Sequence, residues 1–295
     1  MRRRSGSVAQ FRGSALLLAL AGMFALALVS AGSLPHAEVS AASCGGIDRP
    51  CSFGRDNRDR YYLSPPPTWD GRRAIGILLF FHGYRSSGRA TVENALIREA
   101  AHRGGYMLVA ADGLHGTWSF RGSPGQFRDE IDYVERLMVD LARRVHLNED
   151  DMWVSGFSQG GSMAWEVTCL IGARFKAYVP ISGAFWQPLP DHCPGGAVNL
   201  LHIHGTADRT VPMAGRAIGP FHQGDVKRSL EIMRSSARCG SKPASRDTIG
   251  NYSCETWRNC NAEAAFSLCL HPRGHEIPTD WADLAYDFLS SIAAQ

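Results

Sequence analysis

The chain has 295 residues, 44% of them hydrophobic and 20% charged, a balance that excludes a disordered polymer and is enough for one well-buried domain. Its formal charge of +3 comes from 31 basic and 28 acidic residues; taking away Arg2, Arg3, Arg4, Arg12 and Glu38 of segment 1–41 leaves 27 against 27. A neutral remainder carries no electrostatic footprint for nucleic acid or for an anionic membrane surface.

The first element is a targeting segment. Four arginines precede an uncharged run at 15–29 (ALLLALAGMFALALV), and small residues follow up to Val39-Ser40-Ala41. A basic, then apolar, then small-residue order reads as a secretory signal over 1–41, cleaved on export, so that the mature chain is secreted or periplasmic and keeps no membrane anchor. All eight cysteines lie beyond that point. An even count in an exported chain predicts disulfides, and no short CxxC spacing suggests zinc. Cys254 and Cys269 would oppose each other across a hairpin turning near Asn261, which leaves Cys239 for Cys260. Proximity in sequence pairs Cys44 with Cys51 and Cys169 with Cys193.

Residues 42–74 are rich in Gly, Pro and Arg and read as an N-terminal lead-in with an edge hairpin around Tyr61-Tyr62-Leu63; the catalytic domain is expected over 75–295. Continuous apolar runs at 75–81 (IGILLFF) and 106–111 (YMLVAA) predict strands buried on both faces. Helices are expected at 92–103 and at 126–145, the latter with Ile131, Val134, Leu137, Met138 and Leu141 on one face. A short strand at 152–156 leads to a helix at 160–170. Strands at 176–181 and 198–203, a helix at 225–238, the hairpin of 252–258 with 264–270, and a final helix at 279–292 complete the chain. Strands alternating with helices predict βαβ units, a mostly parallel sheet with helices on both faces, and a ligand site at the carboxyl ends of the strands.

The chemistry concentrates at Gly156-Phe157-Ser158-Gln159-Gly160, a G-x-S-x-G between a strand and a helix. That context is what a nucleophile elbow requires, with the hydroxyl at a helix start where free N–H groups favour an anion. Asp208, just after strand 198–203, and His275, just after the last strand, supply an acid and a base in the order Ser, Asp, His. Ser158 would attack an acyl carbon, His275 would relay its proton, and Asp208 would orient the imidazole. The oxyanion donors are expected to be the N–H of Gln159 and that of Tyr84 in the loop after the first buried strand. Trp118, Phe185 and Trp186, with Tyr84, lie near the same rim and are candidates for a substrate wall. No metal or cofactor is called for by this set.

These motifs resemble the polyhydroxybutyrate depolymerase and feruloyl/acetylxylan esterase group of secreted α/β-hydrolases. The resemblance covers about 75–290 and rests on LLFFHGYRSSG (78–88), Asp112-Gly113 with Trp118, Asp129-Glu130, GFSQGGSMAW (156–165), PISGAFW (180–186), HGTADRTVP (204–212) and RGHEIP (273–278). It implies a disulfide-stabilised α/β-hydrolase fold with the triad Ser158, Asp208 and His275. RGHEIP replaces the group's frequent GGGH with Trp-Pro, and Gln159 replaces a frequent Asn; both changes bear on substrate more than on catalysis. No polymer-binding domain or Thr/Ser-rich linker is visible. The first expectation is therefore a serine carboxylic ester hydrolase acting on hydroxyalkanoate (polyhydroxybutyrate-type) oligomers or similar small esters. The alternatives are a feruloyl or acetylxylan esterase on plant cell-wall esters, an acyltransferase, and a non-catalytic binding protein on the same scaffold. Oligomeric state is not legible.

Overall fold

A computed structural model describes Cys44 and residues 48–54 and 57–293; the expected signal segment 1–41 lies outside these. In chain order the elements are strands β1 (Cys51–Phe53), β2 (Asp59–Ser64) and β3 (Ile75–Phe81), helices α1 (Gly88–Glu93) and α2 (Ala95–Arg103), β4 (Met107–Ala111), α3 (Glu130–Arg144), β5 (Leu147–Phe157) and α4 (Gln159–Ile171). Then follow β6 (Ala177–Ile181), β7 (Leu200–Gly205), the small pair β8 (Arg216–Ile218) and β9 (Phe221–Gln223), α5 (Val226–Ser236), β10 (Ser245–Ile249), β11 (Tyr252–Trp257), β12 (Phe266–His271) and α6 (Trp281–Ala293).

Ten strands form one sheet in the order β1-β2-β4-β3-β5-β6-β7-β12-β11-β10. The stretch from β4 to β12 is parallel, and the pairs at both margins are antiparallel. Every residue of β3 is buried. Alternate side chains enter two separate apolar layers. Ile77, Leu79 and Phe81 join one with Leu137 of α3, Met163 of α4 and Leu230 of α5. Leu78 and Phe80 join the other with Ile97 of α2 and Trp281 and Phe288 of α6. A strand sandwiched this way has no polar face, which is why it appears in the sequence as an unbroken apolar run.

Helices start where a side chain caps them. Asp129 accepts from the N–H groups of Ile131 and Asp132 and opens α3. This is later than the expected start at 126, because Ser119 Oγ accepts from Phe127 and Arg128 N–H while the Gln126 amide donates to the Phe120 carbonyl. The helix expected at 92–103 is two helices. Asn94 closes α1 with its own N–H and accepts from Leu96 and Ile97 N–H to begin α2. β10 was not expected: its five residues are all exposed and show no alternation.

The four disulfides are Cys44–Cys51, Cys169–Cys193, Cys239–Cys260 and Cys254–Cys269, the last between directly paired positions of β11 and β12. No helix among the described residues is long and apolar enough to cross a membrane.

The described part of the lead-in is built into the sheet. β2 pairs with β4, and its first residue, Asp59, holds Arg128 at 2.9 Å and Arg136 at 2.7 Å. Arg128 also binds Glu130 at 2.8 Å, donates to the Asp112 carbonyl at 3.1 Å and lies 3.5 Å over the Tyr133 ring. Its side chain is 7% exposed, so the guanidinium is an internal rivet between the lead-in, α3 and the loop after β4. Arg128→Met leaves Asp59 and Glu130 without their shared cation; it is expected to cost about 3–5 kcal/mol in urea unfolding of the oxidised protein. A loss below about 1 kcal/mol would mean that water replaces the pair freely.

Candidate active site

β5 runs into α4 through a single residue. Ser158 has φ 59° and ψ −120°, a conformation that a side chain resists and that only close packing maintains. Its N–H donates to the Ile181 carbonyl at 3.0 Å, and its carbonyl accepts from Ser162 N–H at 3.0 Å, the first bond of α4. The flanking glycines let this turn close. A side-chain carbon on Gly156 would strike the Gly160 carbonyl, and one on Gly160 would strike the carbonyls of Phe81 and His82 at the end of β3.

The acid and the base arrive from neighbouring parallel strands. Asp208 sits in the turn after β7 and His275 in the loop after β12, and those two strands pair directly. His275 Nε2 lies 2.8 Å from Ser158 Oγ, and His275 Nδ1 lies 2.7 Å from Asp208 Oδ2. A carboxylate only accepts, so Nδ1 carries the proton and Nε2 is left to accept from the serine hydroxyl. The other Asp208 oxygen accepts from the Thr210 and Val211 N–H groups, both at 2.8 Å. Burial by itself would raise the Asp208 carboxyl. The hydrogen bond from His275 and those backbone amides outweigh it and hold the carboxyl below its ordinary value. The Asp208 side chain has no exposed surface, whereas that of His275 keeps 17%.

The loop His82-Gly83-Tyr84 stands beside the serine: a carbon built on Gly83 would lie 3.6 Å from Ser158 Cβ. His82 is buried and sets this loop. Gly113 N–H donates to His82 Nε2 at 3.0 Å, so the ring proton is on Nδ1, which donates to the Gly83 carbonyl at 2.8 Å. The Gly83 carbonyl and the Tyr84 N–H share one planar trans peptide and point in opposite directions. Fixing the first therefore fixes the second. Gln159, first residue of α4, has an N–H with no carbonyl one turn behind it, and its side-chain oxygen accepts from the Thr117 hydroxyl at 2.9 Å.

Three aromatic candidates sit deeper than expected. Trp118 is corrected outright: it is wholly buried, packs on Phe81 and Tyr133, and donates to the His82 carbonyl at 2.8 Å. It braces the loop from behind and offers no surface to a substrate. Phe185 is 2% exposed against Trp165, and Trp186 is 6% exposed, with its indole N–H 3.3 Å from Ser162 Oγ. Of the four aromatics named from the sequence, Tyr84 alone is open to solvent, at 59%.

Sequence reasoning missed the buried histidines. His204 Nε2 donates to the Val211 carbonyl at 2.8 Å and lies 3.6 Å from Asp208 Oδ2, while its Nδ1 accepts from His202 Nε2 at 2.9 Å. The pattern His202-x-His204 on a buried strand leading to the acid was the signal, since alternate residues share one face. Burial pushes His82, His202 and His204 below the ordinary imidazole value of 6.5.

No family model matches the chain. It is 25% identical over 227 residues to the probable feruloyl esterase C of Aspergillus terreus, covering 73% of this chain and 80% of that one. It is 27% identical over 166 residues to the feruloyl esterase C of Emericella nidulans, covering 54% and 58%. Among solved structures, the acetyl xylan esterase from Aspergillus awamori superposes with a TM-score of 0.64 at 12% identity, over 82% of this chain and 98% of that one. The architecture is that of the α/β-hydrolase fold: a mostly parallel central sheet with helices on both faces, stabilised by disulfides.

The buried imidazoles give stability a pH dependence. Below pH 6.5 the unfolded chain takes up protons that the folded rings refuse, so stability is full above 6.5 and declines as pH falls toward the folded values. Each ring contributes up to about 1.4 kcal/mol per pH unit over its window. The thermal midpoint is expected to drop steadily between pH 7 and about pH 5; a flat profile there would contradict the assignment of neutral, buried rings.

Proposed function

We propose that this protein is an exported serine ester hydrolase that cleaves plant cell-wall esters, feruloyl or acetyl, through an acyl-enzyme on Ser158. The observation that carries the reading is the unbroken line Asp208–His275–Ser158, with contacts of 2.7 and 2.8 Å, ending on a strained elbow at a helix start. The names of the related chains favour cell-wall esters over the hydroxyalkanoate oligomers that the sequence put first. Four disulfides among the described residues support export.

The chemistry follows from the atoms. His275 Nε2 takes the proton of Ser158 Oγ as that oxygen bonds to the acyl carbon. The charge that develops on the acyl oxygen is met by the N–H groups of Gln159 and Tyr84, whose directions are set before substrate arrives. Asp208 stays ionised and stabilises the imidazolium. The imidazolium returns its proton to the leaving alcohol, and the ester C–O bond breaks. Water, deprotonated by the same ring, then attacks the acyl carbon; the acyl–Oγ bond breaks, ferulate or acetate is released, and the imidazolium returns that proton to Ser158 Oγ.

The test is product release from methyl ferulate, acetylated xylan and 3-hydroxybutyrate oligomers, run with wild-type protein, Ser158→Ala and Asp208→Asn. Cleavage of a cell-wall ester is expected, with kcat falling on the order of 10⁴–10⁶-fold in Ser158→Ala and about 10⁴-fold in Asp208→Asn. Cleavage of the hydroxybutyrate oligomers alone would return the substrate class to the first expectation. No cleavage of any ester would remove the hydrolase reading.

A further inference from the structure

The loop whose Gly83 lies beside Ser158 carries an open aromatic ring at its next residue, and an adjoining loop carries a second. Tyr84 is 59% exposed and Phe127 53%, on a protein whose other large rings are mostly internal. Phe127 packs edge-on against exposed His115, with ring centroids 4.7 Å apart. Hydrogen bonds fix where these rings stand. Arg85 N–H donates to the Gly116 carbonyl at 2.8 Å, which joins the loop after β3 to the loop after β4. The Thr117 hydroxyl binds the side chain of Gln159, the residue after the nucleophile. A carbon built on Gly125 would touch both Thr117 and the Phe127 ring. Tyr84, His115 and Phe127 therefore follow one rim leading away from the serine.

Beyond Phe127 the rim opens into a hollow of about 380 Å³ whose lining includes Leu114, Asp129, Arg136 and Asp59. Its lining carries Arg58, Arg128 and Arg136 beside Asp59 and Asp129. Arg136 binds Asp59 at 2.7 Å and, just outside the lining, Asp132 at 2.7 Å, while Arg128 binds Asp59 at 2.9 Å and Glu130 at 2.8 Å, so the cations stand among a similar number of carboxylates. A free cation would call for an anionic ligand, and a bare apolar wall for a lipid. Paired ions offer many donors and acceptors with little net charge, and the rings offer flat apolar faces. A pyranose has the matching surface, with a C–H face for the ring and a rim of hydroxyls for the ion pair.

We propose that this rim and hollow form a subsite for the neutral pyranose chain that carries the ester, with sugar rings stacked on Tyr84 and Phe127 and hydroxyls meeting the Arg136–Asp59 pair. The inference rests on the cell-wall reading above and adds to it that the polysaccharide, as well as the acyl group, is recognised. Substrates lacking the sugar chain lose this contact, so the subsite acts on affinity for the polymer.

Two measurements separate this inference from the esterase reading. Ser158→Ala protein is titrated with xylohexaose, which carries no ester. Binding is expected, weakened about tenfold or more by adding Phe127→Ala and recovered by Phe127→Trp, which keeps a ring in place. With Ser158 intact, Phe127→Ala is expected to raise KM for an acetylated xylo-oligosaccharide about tenfold more than KM for 4-nitrophenyl acetate, with kcat moving little. Absence of xylohexaose binding, or equal effects of Phe127→Ala on both esters, overturns the subsite. If 4-nitrophenyl acetate is cut while xylohexaose fails to bind, the subsite falls and the esterase stands. If xylohexaose binds and no ester is cut, the esterase falls and the subsite stands.

Discussion

The close approach of the elbow to the end of β3 is the contact on which the rest depends. At Gly160 the start of α4 lies against the carbonyls of Phe81 and His82, with no room for a side chain. That approach holds Ser158 at a positive φ and sets the His82-Gly83-Tyr84 loop beside the first turn of the helix. The local strain is of order 1–3 kcal/mol. It is sustained by the sheet on either side, where β3 and β6 both pair with β5 and Ile181 accepts the serine's own N–H. Position here comes from the architecture rather than from the five residues of the motif.

The acid side of the site has a different physical basis. Asp208 gives up its hydration and receives the N–H groups of Thr210 and Val211 and the His275 ring in exchange. His204, itself neutral because it is buried, holds the Val211 carbonyl and so steadies the turn that presents those amides. The two sides are built differently, one by close backbone packing and one by buried polar contacts, and they meet at the bond between His275 and Ser158 and where the Phe157 and His275 rings pack with centroids 4.7 Å apart.

What the sequence revealed depended on how much of an element's energy comes from its own residues. The buried strand β3 was legible to the residue because every position lies in an apolar layer. Ser158, Asp208 and His275, which the structure brings within hydrogen-bond reach of one another, could be picked out as candidates because each follows a strand at the end where ligands bind in such sheets. The break at Asn94 was not, since a cap in mid-pattern looks like one polar residue on a helix face. β10 was hidden because its pairing with β11 is made by backbone, with all five side chains in solvent. Trp118 was misplaced because nearness in sequence to the rim does not tell which way an indole faces; its N–H had a partner only inside, at the His82 carbonyl. The proposed subsite role of Phe127 had no sequence signal, because it depends on how the loops after β3 and β4 are joined, through Arg85 to Gly116 and through His82 to Gly113 and Trp118.

The two margins of the sheet bear on how the protein avoids pairing with other chains. A sheet edge is a template on which another chain can add a strand. At one margin the template is only Cys51–Phe53, three residues long and tied by a disulfide to Cys44. At the other, β10 carries Arg246 and Asp247 in succession, so both faces of an added strand would meet a charge. The same ten-stranded span that aligns the serine, acid and base thus ends, on both sides, in edges poorly suited to aggregation.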